Sequence, residues 1–259
     1  MSDYAIWMAG YVSVPIYPTL TADSVRQILE HSQAKACFVG KLDEWPQMKP
    51  GIPDGVQCIS YPLSPENDYP TWDALVKANA PLEPVAQRGL DDLATVIYTS
   101  GTTGKPKGVC HAHAGLIGAA RNGCQFDGLG PDDDVLSYLP MAWVGDHLFS
   151  YAQAYAAGFT INCPESSETV MTDLREIGPT YYFAPPRVFE NLRTQVWIRM
   201  EDAGRFKKWL FDHYMRLARR VGTALTDGKP VGAIDRLRYG LGNKKIGGDG
   251  TMAEAQAFE

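Results

Sequence analysis

The stretch LATVIYTSGTTGKPKGV, residues 93–109, decides the fold. Its first six residues are apolar or β-branched, which predicts a short buried strand. Residues 98–109 then supply three glycines, four Ser/Thr hydroxyls and two lysines, with no acidic side chain. Glycines let the backbone approach a ligand closely, successive N–H groups form an anion-binding concavity, and lysines add charge. The stretch therefore predicts a polyphosphate-binding loop at the end of a strand.

This loop differs from a Walker P-loop in two places. Thr99 stands where that motif has its first glycine, and Pro106 follows Lys105 where the motif requires Ser or Thr. Pro106 also lacks the N–H group that a helix would need one turn after its start. We therefore expect a phosphate loop that does not open a helix. The alternative is a Gly/Ser-rich surface turn, which the two lysines and the missing acidic residues disfavour.

Short apolar runs alternate with amphipathic ones along the whole chain. This pattern predicts strands at residues 35–39, 56–60, 93–98, 135–139, 159–163 and 180–184. Helices are predicted at residues 21–33, with Thr21 as the N-cap, and at 71–78, 144–157, 169–177 and 187–222, the last broken at Gly204. The alternation predicts an α/β fold with largely parallel sheets flanked by helices.

Composition excludes several classes of protein. Of the 259 residues 45% are hydrophobic and 21% charged, which excludes a disordered chain, and the net charge of −6 argues against nucleic acid as a partner. No apolar run is long enough to span a bilayer. The first ten residues hold Asp3 and no Lys or Arg, unlike a secretory signal. The five cysteines form no C-x-x-C pair, which indicates reduced thiols and a cytoplasmic protein.

The loop resembles the signature of the adenylate-forming enzymes, which include acyl-CoA synthetases, luciferases and the adenylation domains of peptide synthetases. Residues 5–40 resemble the segment that precedes this loop in the family, and YLPMAWVGDH (138–147) resembles the motif that follows it. APPRVFENL (184–192), with the helical stretch after it, looks most like the long-chain fatty acyl-CoA synthetases. IGGDG (246–250) resembles the family's Gly-Gly-Ala turn.

The resemblance implies a ligase that works in two steps. A carboxylic acid, fatty by analogy, attacks the α-phosphorus of ATP with Mg²⁺, and coenzyme A then accepts the acyl group from the adenylate. The signature loop would hold the β- and γ-phosphates through hydroxyls, close backbone approach and lysine charge, while Thr99 adds a hydroxyl or only ends the strand. The implied phosphate-binding residues are Thr99, Ser100, Gly101, Thr102, Thr103, Gly104, Lys105 and Lys107.

The resemblance also implies a substrate or adenine pocket formed by Trp143, His147, Gly247, Gly248 and Asp249. Trp143 would shape the acyl tunnel, or alternatively anchor the core, and Asp146 and His147 would be polar groups at its mouth. Asp249 replaces the family's alanine, and its carboxylate would repel both a fatty chain and phosphates. Either this turn is displaced or the substrate is less apolar than a fatty acid.

The family's segments with a metal-binding Glu and a catalytic Lys are not found before Glu259. We therefore expect residues 1–259 to be a partial large N-terminal AMP-binding domain without the small C-terminal catalytic-lysine domain. Such a chain should have little activity alone. The alternative is a non-catalytic nucleotide-binding remnant of the family. A phosphotransferase or ATPase ranks last, because a Walker loop is lacking.

Two further features have a functional and a structural interpretation. Cys110, His111 and His113 form a C-H-x-H string, which suggests zinc, but alternation on a strand or at a helix start explains it more simply because no second ligand pair follows. Residues 187–220 carry nine Lys or Arg against four Asp or Glu. This basic helical region would face a phosphate-bearing ligand or an anionic membrane surface, or would simply be a solvated face.

Overall fold

The computed structural model describes residues 2–100 and 106–242. The chain divides into two compact units, the first ending at Tyr182 and the second beginning at Phe183. The described part of the first unit combines helices with three two-stranded sheets, two of them parallel, and the described part of the second contains helices. The predicted α/β class, with helices and small parallel sheets, is confirmed.

The first part of the first unit packs a helix on a parallel strand pair. Its elements, in chain order, are α1 (Ser2–Met8), α2 (Ala22–Ser32), β1 (Ala36–Val39), α3 (Trp45–Met48), a 3₁₀ turn (Lys49–Gly51), β2 (Gln57–Ser60) and α4 (Trp72–Ala78). Thr21 caps α2 as predicted, because its hydroxyl accepts the Ser24 N–H. Val25 and Leu29 of α2 bury their side chains in a core that also contains Val39 of β1.

The strand before the predicted phosphate loop pairs with the strand after it. Strand β3 (Leu93–Ser100) runs antiparallel to β4 (Pro106–Ala112), and α5 (His113–Asp127) follows. Pro106 therefore begins a strand, which confirms that the loop opens no helix. The pairing is antiparallel because a connection this short cannot make the crossover that parallel strands need. Thr95 of β3 also forms a parallel bridge with Ser13.

The last part of the first unit is a second parallel pair with helices around it. Its elements are β5 (Asp134–Leu136), a π-helical segment (Asp146–Ala152), α6 (Gln153–Ala157), β6 (Thr160–Asn162) and α7 (Val170–Ile177). The strand predicted at residues 180–184 is wrong, since only Tyr181 pairs, in a single bridge with Val135. Pro185 and Pro186 follow directly and offer no N–H groups, so the pairing ends and a helix begins.

The described part of the second unit consists of α8 (Pro186–Glu201), α9 (Arg205–Thr226) and α10 (Ala233–Gly242). Gly204 separates α8 from α9 as predicted and lies at the N-cap of α9 with an extended ψ of 147°. Helix α9 buries Phe211 and Val221 on one face and exposes Phe206 and Trp209 on another. Among the helices of residues 2–242 that the structure describes, none has the length and apolar character needed to cross a membrane.

Candidate functional site

The base of the predicted phosphate loop is an antiparallel register that joins its two ends. Thr99 lies directly opposite Lys107, and Ser100 lies opposite Pro106. Directly opposed residues in an antiparallel pair have their side chains on the same face. Thr99 and Lys107 are both exposed. A hydroxyl donor and an ammonium group therefore lie side by side in solvent, where they can bind an anion such as a phosphate oxygen.

Other predicted site residues lie outside the described parts of the chain. These are Gly101, Thr102, Thr103, Gly104 and Lys105 of the loop and Gly247, Gly248 and Asp249 of the C-terminal turn. Their roles stay predictions.

Tyr98 anchors the strand just before the loop. It is buried, and its hydroxyl lies 2.6 Å from Nδ1 of His31, which is near the end of α2. The two rings meet edge to face with centroids 5.7 Å apart. Burial raises the pKa of Tyr98, which keeps the hydroxyl protonated and available for this hydrogen bond. The contact ties α2 to the strand end, and sequence reasoning missed it because nothing local links residues 31 and 98.

Gly108 leaves room for this tyrosine. It pairs with Tyr98, and a Cβ atom at position 108 would lie 2.7 Å from Cγ1 of Val96 and 3.2 Å from Cζ of Tyr98. Both distances are below ordinary van der Waals contact. Gly108 is not among the residues implied for phosphate binding, and its missing side chain makes room for the Tyr98 ring on this face of the hairpin.

Strand β3 is also held from the N-terminal side. The Trp7 indole Nε1 donates to the Ala94 carbonyl at 2.7 Å, and the Thr95 hydroxyl donates to the Ser13 carbonyl at 3.1 Å. The Val96 N–H donates to the same Ser13 carbonyl at 2.9 Å. The bonds to the Ala94 carbonyl and from the Val96 N–H satisfy backbone groups of β3 that do not face β4. Strand β3 is therefore held on both edges around residues 94–96.

Trp143 is half-buried and lies against the backbone of its own turn. The Trp143 N–H donates to the Pro140 carbonyl at 2.9 Å, and the Asp146 N–H donates to the Trp143 carbonyl at 3.1 Å. A Cβ atom added to Gly145 would collide with the Trp143 ring. Gly145 therefore allows the ring to lie flat on the turn, a local signal that sequence reasoning overlooked. The tunnel role of Trp143 stays a prediction.

Asp146 and His147 lie in the interior, with 1% and 0% of their surface exposed. Asp146 accepts hydrogen bonds from the hydroxyls of Ser137 at 2.9 Å and Ser150 at 3.0 Å. Burial raises the pKa of Asp146, and these two bonds oppose the shift. Nε2 of His147 lies 3.3 Å from a carboxylate oxygen of Asp3. These side chains therefore face protein groups of α1 and the π-helical segment, and their pocket role stays a prediction.

The C-H-x-H string divides between two elements. Cys110 and His111 belong to β4, and His113 is the first residue of α5, which matches the simpler structural interpretation. Within residues 2–100 and 106–242, no group of three or more His, Cys, Asp or Glu side chains is arranged to hold a metal ion.

Curated proteins of known function are similar to this chain in sequence. The chain is 28% identical to long chain acyl-CoA synthetase 6, peroxisomal, of Arabidopsis thaliana, over 95% of this chain and 37% of that protein. It is 30% identical to the long-chain-fatty-acid–CoA ligase FadD15 of Mycobacterium bovis, over 78% of this chain and 35% of that ligase. The chain thus spans little more than a third of the length of these curated relatives.

Solved structures share the fold. The anthranilate CoA ligase AuaEII in complex with anthranoyl-AMP superimposes with a TM-score of 0.64 at 21% identity, over 73% of this chain and 38% of that chain. The inhibitor-bound N-terminal domain of FACL13 from Mycobacterium tuberculosis gives 0.58 at 27% identity, over 74% of this chain and 48% of that chain. A model of the AMP-binding enzyme family matches residues 1–255. With this match covering nearly the whole sequence, the chain belongs to the AMP-binding enzyme family.

Proposed function

We propose that this chain is the nucleotide-binding part of an AMP-forming acid–thiol ligase of the acyl-CoA synthetase type. In this reaction a carboxylate oxygen attacks the α-phosphorus of ATP and pyrophosphate leaves, which gives an acyl-adenylate. The thiol of coenzyme A then attacks the acyl carbon, and AMP leaves. The family membership and the acyl-CoA synthetase relatives support this proposal.

The single observation that carries the proposal is the paired base of the β3–β4 hairpin. Thr99 and Lys107 are cross-strand neighbours and both are exposed, so one hydroxyl and one ammonium bracket the loop of residues 101–105. Charge placed where negative charge accumulates on pyrophosphate stabilises its departure. We assign the β- and γ-phosphates to Thr99, Ser100, Gly101, Thr102, Thr103, Gly104, Lys105 and Lys107.

Mg²⁺ would arrive with ATP and neutralise phosphate charge. The described residues offer no cluster of ligands for it, so no step is assigned to the metal. Coenzyme A and the acid are the remaining small-molecule substrates. We propose a fatty acid, from the long-chain acyl-CoA synthetase relatives, with Trp143 shaping the acyl tunnel and His147 as a polar group at its mouth.

Three broader proposals follow from the sequence. Residues 1–259 form a partial N-terminal domain and have little ligase activity alone, since the relatives are far longer. The protein works in the cytoplasm, where its thiols stay reduced.

The region of residues 187–220 makes peripheral membrane contact. This proposal is supported by the exposure of Phe206 (72%) and Trp209 (57%) beside Lys207 on α9.

The proposed function is tested by nucleotide binding and by isotope exchange. We expect the chain to bind MgATP in equilibrium dialysis, with little carboxylate-dependent exchange of labelled pyrophosphate into ATP. A longer polypeptide that contains the chain should catalyse this exchange with a fatty acid. Robust exchange by the chain itself would contradict the proposed inactivity. Binding without exchange in the longer protein would favour a non-catalytic remnant, and ATP hydrolysis without any acid would favour an ATPase.

A further inference from the structure

Cys37 and Cys58 are direct neighbours on adjacent parallel strands. Cys37 of β1 is the register partner of Cys58 of β2. Neighbouring strands lie about 4.8 Å apart, and disulfides join Cα atoms separated by about 4.4–6.8 Å. The sheet therefore already holds the two Cα atoms within the range of a disulfide, although the two residues are far apart in sequence.

Both thiols lie on the face of the sheet that packs against α2. Cys58 belongs to the buried core with Val25 and Leu29, and Cys37 packs against the same core. Cys58 is 7% exposed and Cys37 is half-buried. The two sulfurs are therefore turned to the same core, open to small reagents from the Cys37 side and shielded from other protein chains.

The surroundings make the two thiols unequal. The neighbouring Cys37 thiol lowers the pKa of Cys58 against the opposing effect of burial, and the Tyr69 hydroxyl and the Lys49 ammonium act in the same direction. The Cys58 thiol, together with burial, raises the pKa of Cys37. Since the thiolate is the nucleophile, Cys58 is the residue that reacts first.

We propose that Cys37 and Cys58 are a redox-active pair that hydrogen peroxide converts into a reversible cross-strand disulfide. The Cys58 thiolate attacks one peroxide oxygen, the O–O bond breaks, and the released hydroxide takes a proton and leaves as water. This gives a sulfenic acid on Cys58. The Cys37 sulfur then attacks the Cys58 sulfur, loses its proton, and a second water leaves. Together the two thiols lose two electrons, and one molecule of hydrogen peroxide is reduced to two waters.

Reduction by a small dithiol reverses the step through thiol–disulfide exchange. The proposal needs no nucleotide or acid, so it stands or fails independently of the proposed ligase function. It also concerns only this pair, because the other cysteines lie on separate segments, Cys110 on β4, Cys124 on α5 and Cys163 just after β6.

The pair is tested by peptide mapping of the full chain. The folded protein is treated with hydrogen peroxide in dilute solution. It is then unfolded in the presence of an alkylating reagent, which blocks the remaining free thiols, and digested with trypsin without reductant. We expect the peptides of residues 36–41 and 42–77 to appear joined and to separate when a dithiol is added. Of the five thiols in the chain, two should be lost to alkylation after peroxide and recovered after reduction.

Matched variants sharpen the assignment. The double variant Cys110→Ser/Cys163→Ser removes two exposed thiols and should still form the joined peptides. Cys37→Ser should abolish them and leave Cys58 oxidised beyond the sulfenic acid. If Cys37→Ser fails to fold, the wild-type map at graded peroxide still decides. Complete alkylation of Cys37 and Cys58 after peroxide, or oxidation of either without the cross-link, would overturn the proposal.

Discussion

Gly108 lies in the signature stretch, and its missing side chain makes room for packing on strand β3. Its missing side chain lets Tyr98 lie across the hairpin, and Tyr98 reaches His31 with its hydroxyl. The glycine, the tyrosine and the histidine form one connected contact at the strand end. The end of β3, where the predicted phosphate loop begins, is therefore held by residues outside the predicted phosphate-binding set.

We expect Gly108→Ala to lower the free energy of unfolding by about 1–3 kcal/mol, because a Cβ at this position overlaps Val96 and Tyr98. Urea denaturation followed by circular dichroism measures this change. Gly118→Ala is the matched control, since a Cβ at position 118 meets nothing within 4 Å and α5 gains a better helix former. Equal stability of the two variants would contradict the packing role of Gly108.

Lys107 tests the anion site itself. We expect Lys107→Ala to weaken MgATP binding by about tenfold or more, because a hydrogen bond to a charged group is lost. The circular dichroism spectrum should not change, because the side chain is exposed. Equilibrium dialysis measures the affinity, and Lys77→Ala on α4 is the control for loss of one positive charge. Comparable weakening by both variants would indicate only a general charge effect.

At the scale of elements, α5 packs closely on α6 through a glycine. Gln153 is the first residue of α6 and is fully buried. A Cβ added to Gly123 of α5 would collide with the side-chain amide nitrogen of Gln153. The close approach of these two helices therefore requires a residue without a side chain at position 123.

We expect Gly123→Ala to destabilise the chain by about 1–3 kcal/mol, because Gln153 must leave its position in a packed interior. Gly115→Ala on the same helix meets open space and should be neutral or stabilising. Thermal unfolding compares the two. The double variant Gly123→Ala/Gln153→Ala removes the collision and should recover part of the loss. Without any recovery, this helix contact would not be the cause.

Elements with strong local signals were predictable from the sequence. Thr21 before an amphipathic run predicted the start of α2, and Gly204 predicted the break between α8 and α9. Pairing was not predictable in the same way. The strand expected at residues 180–184 is limited to Tyr181 by two following prolines, and the strand after the loop was not foreseen as a partner of β3.

The candidate site was predictable only in its loop residues. Composition predicted an anion-binding loop, and the family resemblance implied Thr99 and Lys107 as phosphate-binding residues. Neither indicated that the two residues lie opposite each other across a hairpin. The contact of His31 with Tyr98 joins residues 67 positions apart, and no local pattern indicates it. The burial of His147 beside Asp3 likewise depends on where α1 packs. Side-chain environment, unlike helix start or strand character, has no signature in a single sequence.

At the scale of the whole molecule, two histidines make stability depend on pH. Burial lowers the pKa of His111, and the nearby His147 acts in the same direction. Burial and the Arg88 guanidinium lower the pKa of His113. Both side chains therefore bind protons less readily in the folded state than in the unfolded state, where the pKa is about 6.5. Stability should rise with pH through this window and fall as the pH drops below about 6.5.

We expect the free energy of unfolding in urea to be lower at about pH 5.5 than at about pH 7.5. The double variant His111→Gln/His113→Gln should flatten this dependence. His213→Gln changes an exposed histidine of α9 and is the control. An equally steep profile in the double variant would show that other groups govern the acid sensitivity.

The β3–β4 hairpin also bears on the order in which the chain acquires its structure. Its strands are joined by five residues, whereas β1–β2 and β5–β6 each require a longer crossover before any pair can form. Closing a short loop costs less chain entropy than closing a long one, and local hairpins form within about 1–10 μs. The β3–β4 pair that flanks the predicted phosphate loop is thus expected to form well before either parallel sheet has assembled.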